Sequence, residues 1–225
     1  MRDALAGAPR PIAIAHRAGN SLTQLRTAER GGVDFVEADV WLHHGRLEVR
    51  HLKSLSPLPV LWDRWKLAPA WRPRLHLDAL LAALAAGTGL MLDLKGREPR
   101  LPEALVAAVR DAGRPVLVCG QNWRMVDACA AGGITVVHSV GTAGQLAALQ
   151  PHLDGHEGHA ISVQRRLLDR EVVRGLKERA SAVVTWPVND DATLRQVLGW
   201  GVDGVTSDNL ELLRRLVAGR AGPAA

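Results

Sequence analysis

The chain has 225 residues, of which 47 % are hydrophobic, and its mean hydropathy is near zero, as is typical of a soluble globular protein with a real core. No apolar run reaches the roughly 18 residues of a membrane span, so we expect no integral membrane segment. The net charge is +5, but scattered basic residues, a single Phe and no Tyr argue against a nucleic-acid partner and favour attraction of anionic substrates.

Strand-like and helix-like segments alternate along the chain. Nine apolar stretches are typical of buried strands: 12–16, 34–42, 47–51, 89–95, 115–120, 134–140, 160–163, 182–188 and 204–208. Seven amphipathic segments lie between them: 21–32, 77–87, 101–113, 123–133, 143–150, 170–180 and 191–201. This alternation predicts a parallel sheet with crossover helices, and about eight such units over this length predict a closed (β/α)8 TIM barrel.

Nine candidate strands are one more than the barrel needs. Residues 42–47 have the composition of a turn, so the second and third strands are predicted to form a hairpin without an intervening helix. No boundary between two domains is evident, and we expect residues 1–225 to form a single barrel domain. The irregular part is an insert rich in Pro and Trp at 53–75.

The sequence also bears on the compartment. Its first residues lack the apolar core of a secretory signal. Cys119 and Cys129 are too few for a disulfide scaffold and fit a reducing environment. We therefore expect a cytoplasmic protein.

Polar side chains occupy the ends of several predicted strands, where the active site of such a barrel lies. Glu37 and Asp39 are two residues apart and share one strand face, an arrangement that needs a cation or a wet strand end. Asp93 and Lys95 have the same spacing on the fourth candidate strand. The other residues at these ends are His16, Arg17, His51, Trp186 and Asp208. Their convergence on one mouth predicts a functional site.

Six motifs resemble, in order and approximate spacing, those of the glycerophosphodiester phosphodiesterase family. They are IAHRAGN, GVDFVEADV, LEVRH, LMLDLKG, VVTWPVND and GVDGVTSDN, and they extend over nearly the whole chain. The resemblance implies a barrel in which Glu37, Asp39 and Asp93 hold a divalent cation, Ca²⁺ or Mg²⁺. It also implies that Arg17 and Lys95 bind the substrate phosphate and that His16 and His51 are the acid–base pair.

The chemistry of these residue types agrees with that assignment. Carboxylate oxygens suit Ca²⁺ and Mg²⁺, cations offset the charge that develops in phosphoryl transfer, and histidine moves protons near neutral pH. The resemblance thus implies hydrolysis of a glycerophosphodiester to glycerol 3-phosphate and an alcohol. An adjacent hydroxyl of the substrate would attack first, with a cyclic phosphate as the intermediate.

Two alternatives remain open at this stage. The Trp-rich insert is compatible with a lipid tail, and hence with lysophospholipase D or sphingomyelinase D-like activity on lipid phosphodiesters. A barrel that binds phosphorylated ligands without turnover is the other alternative, because Leu52 stands where the family has an Asp after its second His.

The sequence departs from the family pattern at further positions. Ala18 replaces the usual Gly after His-Arg, and the Glu-Asn-Thr that commonly follows is absent, which shortens the first loop. Asp93 replaces the more typical Glu and reaches about one methylene less far toward a metal.

Several other residues have a plainer interpretation. The histidines of PHLDGHEGH, at 152, 156 and 159, are predicted to lie in a solvated loop rather than to bind Zn²⁺. Asp208 is expected to fix the end of the last strand. Trp residues near the ligand are expected at Trp186 and, in the insert, at Trp62, Trp65 and Trp71.

Overall fold

The structure is a computed structural model that describes residues 5, 7–54, 60–63, 66–69, 73–154, 156 and 158–220. The strands are β1 (Ile12–Ala15), β2 (Phe35–His43), β3 (Arg46–Val49), β4 (Lys53–Ser54), β5 (Val60–Asp63), β6 (Lys66–Pro69), β7 (Leu75–His76), β8 (Gly89–Leu94), β9 (Val116–Gly120), β10 (Thr135–Val140), β11 (Ala160–Gln164), β12 (Val183–Trp186) and β13 (Gly204–Ser207).

The helices follow the same alternation. They are α1 (Leu22–Arg30), α2 (Leu77–Ala83), α3 (Leu101–Val109), α4 (Trp123–Ala131), α5 (Ala143–Leu153), α6 (Arg170–Lys177), α7 (Asp191–Trp200) and α8 (Leu210–Arg220), with short 3-10 helices at Ala18–Asn20 and Arg165–Leu167. Seven of the eight α-helices coincide with predicted amphipathic segments, whereas α8 lies beyond the predicted elements. None of the helices in the described part of the chain is long and apolar enough to cross a bilayer.

Eight parallel strands close into a barrel, and the predicted TIM-barrel fold is confirmed. The closed order is β1, β2, β8, β9, β10, β11, β12 and β13, and β13 pairs again with β1. Ile12 pairs with Gly204 across the closing seam, and Ile14 pairs with Phe35 on the other side of β1. Every neighbouring pair in this ring is parallel, because a helix returns the chain to the same end between successive strands.

The ninth predicted strand is the second arm of a hairpin, as the turn at 42–47 indicates. Strand β2 pairs with β8 in parallel from Phe35 to Val40, and its outer half pairs with β3 in antiparallel from Val40 to His43. The long strand β2 thus belongs to the barrel at one end and to the hairpin at the other. Strand β7 adds to the free edge of β3.

The insert has more regular structure than the sequence predicts. Strands β4, β5 and β6 form a separate three-stranded antiparallel sheet. Trp62 lies in β5 and is 39 % exposed. Trp65 and Trp71 lie outside the described residues, so their predicted place near a ligand stays a prediction.

Side-chain alternation divides the core into two layers. Ile12, Ile14, Phe35 and Met91 belong to the apolar cluster that fills the barrel interior. The intervening residues of the same strands, such as Ala13, pack in the larger cluster between the strands and the helices. Residues of β2 and β8 that share a face with Phe35 and Met91 therefore also point into the barrel.

Candidate active site

Three carboxylates meet at the interior mouth of the barrel. Glu37 and Asp39 follow Phe35 on the inner face of β2, and Asp93 follows Met91 on the inner face of β8. The parallel register pairs Asp39 directly with Asp93. Carboxylate oxygens of the three residues lie within 4.8 Å of one another, and Glu37 and Asp39 are 4 % and 1 % exposed. The arrangement that strand parity predicts is therefore present in the structure.

The electrostatics of this cluster show an excess of negative charge. Burial, together with repulsion by Asp39 and Asp93, raises the pKa of Glu37 well above its ordinary value. Burial also raises the pKa of Asp93, against the opposing effect of Lys95. Burial works in the same direction on Asp39, but hydrogen bonds from His51 and Lys95 outweigh it and lower the pKa of that carboxyl. A cation placed among these oxygens would reduce the repulsion between the negatively charged carboxylates.

The loop after β1 makes hydrogen bonds to Glu37 and Asp39 through its backbone and through the side chain of Asn20. Arg17 has a left-handed conformation (φ 54°), and its N–H donates to Glu37 Oε2 over 2.6 Å. Asn20 donates from Nδ2 to Asp39 Oδ2 over 2.6 Å, and its Oδ1 accepts from the Asp39 N–H over 2.9 Å. A Cβ on Gly19 would stand 2.7 Å from the Cβ of Ala38, so only glycine lets the loop approach β2 this closely. Gly19, next to Ala18, is thus the position in this loop at which a side chain would clash.

His16 is held by an acid from the last strand. The His16 N–H donates to the Ser207 carbonyl over 2.9 Å, which brings the imidazole beside the next residue, Asp208. Nδ1 of His16 lies 2.8 Å from Asp208 Oδ1, and Nε2 lies 4.0 Å from Glu37 Oε2. The hydrogen bond from His16 lowers the pKa of Asp208. Asp208 therefore orients the imidazole of His16. The sequence predicts only that Asp208 fixes the end of the last strand, and it does not predict this hydrogen bond.

Backbone hydrogen bonds on both sides of β2 determine the positions of His51 and Lys95. The Arg50 N–H donates to the Asp39 carbonyl, and the Lys95 N–H donates to the Val40 carbonyl, each over 2.9 Å. His51 Nδ1 then lies 3.1 Å from Asp39 Oδ2, and Lys95 Nζ lies 3.0 Å from Asp39 Oδ1. Lys95 also contacts Asp93. Asp39 thus gives His51 a carboxylate partner even though Leu52 follows it in sequence.

The remaining predicted site residues lie at or near the rim. The side chain of Arg17 is 41 % exposed, and its Nε lies 4.0 Å from Asp39 Oδ2. Trp186 ends strand β12 and is partly buried. A cavity of about 270 Å³ opens at the mouth beside helix α1; it is lined by His16, Arg17, Ala18, Gln24, Asp208 and Leu210.

Cys119 lies beside this cluster, since its strand register pairs it with Asp93. Burial, followed by the charges of Asp93 and Glu37, raises the pKa of the Cys119 thiol well above its ordinary value. A thiol that keeps its proton is a poor nucleophile. The arrangement therefore favours acid–base chemistry over a covalent cysteine intermediate.

The prediction of a solvated loop around the histidines at 152, 156 and 159 is wrong. His152 lies in the last turn of α5, and the rings of His152, His156 and His159 pack with that of His138. Of the two acids in the same stretch, Asp154 pairs with Arg179, and Glu157 lies outside the described residues. The sequence pattern misses this packing because His138 comes from a strand that precedes helix α5.

Comparison with known proteins adds to this geometry. Residues 182–211 match the model of the glycerophosphoryl diester phosphodiesterase family. The segment contains β12, α7 and β13, and with them Trp186 and Asp208. The resemblance to this family is confirmed. A search of curated protein sequences finds no match.

Solved structures share the fold over almost their whole length. An Oleispira antarctica phosphodiesterase, solved in complex with the product sn-glycerol-3-phosphate, has 22 % identity and a TM-score of 0.78 over 95 % of this chain and 99 % of that one. The glycerophosphodiester phosphodiesterase of Thermotoga maritima has 17 % identity and a TM-score of 0.72 over 91 % and 97 %. That of Parabacteroides distasonis has 20 % identity and a TM-score of 0.67 over 95 % and 100 %. The family's barrel is therefore also the barrel of this chain.

Proposed function

We propose that the chain is a glycerophosphodiester phosphodiesterase, which hydrolyses its substrate to glycerol 3-phosphate and an alcohol. The observation that carries this proposal is that three kinds of functional side chain lie together at the mouth of the barrel. Carboxylates for a cation, the cationic side chains of Arg17 and Lys95, and two oriented imidazoles lie around Asp39 and Glu37. The family-model match over residues 182–211 supports the same reaction.

The carboxylates fit a divalent cation such as Mg²⁺ or Ca²⁺. Three oxygen donors lie close together, two of the three side chains are buried, and mutual repulsion raises the pKa of Glu37. Such hard, anionic donors are those that Mg²⁺ and Ca²⁺ prefer. When bound by Glu37, Asp39 and Asp93, the ion would polarise the phosphoryl oxygens and offset their charge. Lys95 lies beside Asp39 and Asp93. A substrate phosphate at this site would therefore also lie beside the Lys95 ammonium group.

The chain's own residues supply the proton transfers. The hydroxyl next to the ester carbon of the substrate attacks phosphorus, and one imidazole, of His16 or of His51, accepts its proton. The other imidazole donates a proton to the leaving alcohol as the P–O bond breaks, which leaves a cyclic phosphate. Water then opens the ring with the proton transfers reversed. Attack from within the substrate uses proximity, which can lower a barrier by roughly 7–11 kcal/mol.

Each histidine has one nitrogen fixed by a carboxylate. Asp208 holds Nδ1 of His16, and Asp39 holds Nδ1 of His51. An imidazole whose Nδ1–H is fixed in this way uses Nε2 for proton exchange and is stabilised when it becomes charged. The side chain of Arg17 has a buried Nε with no hydrogen-bond partner among the described residues, as expected for a group that awaits an anion.

The test is turnover of glycerophosphocholine in the presence of Mg²⁺ or Ca²⁺, followed by the release of choline and glycerol 3-phosphate. We expect product with either ion, loss of product in chelator, and recovery when the ion returns. Binding without any product would favour the non-catalytic barrel. Faster release of choline from lysophosphatidylcholine than from glycerophosphocholine would favour the lysophospholipase D alternative.

A second substrate pair tests the mechanism. A 2-deoxy analogue of glycerophosphocholine lacks the attacking hydroxyl, so it should bind through its phosphate and turn over very slowly. A cyclic glycerol phosphate should accumulate transiently or be hydrolysed when supplied. Fast hydrolysis of the deoxy analogue would contradict intramolecular attack and would favour direct attack by water.

A further inference from the structure

A second group of metal-ligand residues lies on the outer side of the barrel wall. Val137 lines the barrel interior, so the next residue of β10, His138, faces the helical layer, where it is fully buried. Residues from helices α4 and α5 and from the connection between α5 and β11 surround it. We call these residues the histidine cluster; its members are Asp127, His138, His152, His156 and His159.

The donor atoms of this cluster converge on the carboxylate of Asp127. Nε2 of His138 lies 2.8 Å from Asp127 Oδ1, Nε2 of His152 lies 3.5 Å from Asp127 Oδ2, and Nε2 of His156 lies 3.8 Å from Asp127 Oδ1. The Nε2 atoms of His138 and His152 are 3.3 Å apart. Two ligands of a tetrahedral zinc ion with bonds of 2.0–2.1 Å are separated by about 3.3–3.4 Å. The observed spacing matches that separation.

Hydrogen bonding alone does not satisfy this arrangement. Three Nε2 atoms approach one carboxylate, and His138 and His152 also point Nε2 at each other. If both Nε2 atoms carry hydrogen they repel one another, and if one does not it faces the carboxylate lone pairs without a proton. Nδ1 of His138 and of His159 has no hydrogen-bond partner among the described residues. A cation in place of the shared protons removes the conflict between the Nε2 atoms.

Burial favours the neutral form of two imidazoles of the cluster. Burial lowers the pKa of His138 and that of His159. His159 stacks on His138 with ring centroids 5.2 Å apart, and Trp123 packs against His152 with centroids 4.7 Å apart. Neutral imidazole is the form that binds a metal ion.

We propose that Asp127, His138, His152 and His156 form a binding site for a zinc-class cation, which ties helix α4, strand β10 and the end of α5 together. Imidazole nitrogen with one carboxylate suits Zn²⁺ and its transition-metal neighbours, whereas Mg²⁺ and Ca²⁺ prefer oxygen donors throughout. A set of four protein ligands under packed helices is typical of a structural ion rather than a catalytic one. This site shares no residue with the mouth of the barrel, so it does not depend on the proposed phosphodiesterase activity.

The experiment is a zinc titration of the full, tag-free chain against a chromophoric chelator, with excess Mg²⁺ present to occupy the carboxylates. We expect the parent to bind one Zn²⁺, and the double variant His152→Gln/His156→Gln to bind it on the order of 100-fold more weakly or worse. Both substituted side chains are partly exposed, so the variant should keep the fold, which circular dichroism checks.

Matched controls separate this site from other histidines and from the mouth. His43→Gln/His44→Gln removes two histidines at the β2–β3 turn, and Asp39→Asn removes a carboxylate of the mouth. Both controls should keep the zinc affinity of the parent. Equal zinc affinity in the parent and the cluster variant, or no zinc binding by the parent, overturns the proposal.

Trp123 offers a second readout that does not measure affinity through the chelator. Because its ring packs on His152, Ni²⁺ or Co²⁺ at this site should quench its fluorescence. The quenching should disappear in Trp123→Phe and in His152→Gln/His156→Gln but persist in Asp39→Asn. Quenching that survives in the cluster variant contradicts the assignment.

Discussion

The two donor clusters differ in the face of the barrel wall that carries them. Glu37, Asp39 and Asp93 lie on the inner face, at the end of the barrel where the chain opens into loops. His138 lies on the outer face of β10 and is covered by helices α4 and α5. The alternation of side chains along a strand thus gives one wall a set of oxygen donors on its inner face and a buried histidine, with further donors from the helical layer, on its outer face.

The two clusters also differ in what surrounds them. The carboxylates have the cations Lys95 and Arg17 and two imidazoles at their edge, which is the basis for the proposed anion binding and proton transfer at the mouth. The histidine cluster is built around the single carboxylate of Asp127 and packs against Trp123. We therefore expect substitutions at the mouth to change catalysis and substitutions in the histidine cluster to change zinc affinity.

The largest effect on catalysis is expected at His16. His16→Gln removes a proton-transfer group, which typically contributes about 10²–10⁴-fold to a rate, so kcat on glycerophosphocholine should fall by a factor in that range. Zinc affinity should be unchanged, because His16 is not part of the histidine cluster. Steady-state kinetics with the parent and the variant, each checked by circular dichroism, measure this. Near-normal kcat in the variant would remove His16 from the acid–base pair.

A smaller effect is expected at Asp208, which acts through His16. Asp208→Asn keeps the shape but loses the charge that orients and stabilises the imidazole, so kcat should fall by about 10- to 100-fold, less than for His16→Gln. KM should change little, because Asp208 acts on the reaction through its hydrogen bond with His16. Asp208→Glu should restore part of the rate. If Asp208→Asn lowers only stability and leaves kcat unchanged, then Asp208 fixes the strand end and nothing more.

The carboxylate cluster at the mouth could be predicted from the sequence, because the alternation of side chains along each strand and the pairing of the strands determine its position. Once β2 and β8 are identified, Glu37, Asp39 and Asp93 must share the inner face, and parallel pairing brings Asp39 beside Asp93. The hairpin could likewise be predicted, since the turn-like stretch at 42–47 leaves no room for a crossover helix. In the structure the strands extend into this stretch, and only His44 and Gly45 lie between them. These features depend on spacing within a few residues.

The remaining features depend on contacts between distant elements. Asp208 meets His16 only because β13 closes the barrel against β1, and Asp127 meets His138 only because α4 packs on β10. The spacing of His152, His156 and His159 alone gives no sign of either partner. The sheet formed by β4, β5 and β6 is also hidden, because the Pro residues of the insert are unusual in strands.

Glu37 allows a test through stability rather than rate. Its pKa is higher in the folded chain than in the unfolded chain, so its contribution to stability is full below the unfolded pKa and is lost as the pH rises toward the folded pKa. In chelator, the free energy of unfolding should therefore decrease over that window in the parent. Glu37→Gln should flatten the decrease and be the more stable protein at neutral pH. Urea unfolding at a series of pH values measures this, and a steeper decrease in the variant would contradict it.

The same variant distinguishes the mouth of the barrel from the histidine cluster. Added Mg²⁺ or Ca²⁺ should stabilise the parent and not Glu37→Gln, because the variant lacks one of the three carboxylates. Added Zn²⁺ should stabilise both proteins equally through the histidine cluster. Unequal stabilisation by Zn²⁺ would mean that zinc also binds at the mouth.

The smallest effect is expected at Trp62, in the insert that begins two residues after His51. Trp62 is 39 % exposed and offers apolar surface to a lipid-bearing substrate but little to a polar head group. Losing about 40 Å² of apolar contact costs about 1 kcal/mol, or roughly fivefold in KM. Trp62→Ala should therefore raise KM for lysophosphatidylcholine by about that factor and leave KM for glycerophosphocholine nearly unchanged, whereas Trp62→Phe should behave like the parent. Equal changes for both substrates, or no change for either, would mean that Trp62 takes no part in substrate choice, and the selectivity would then have to come from the mouth itself.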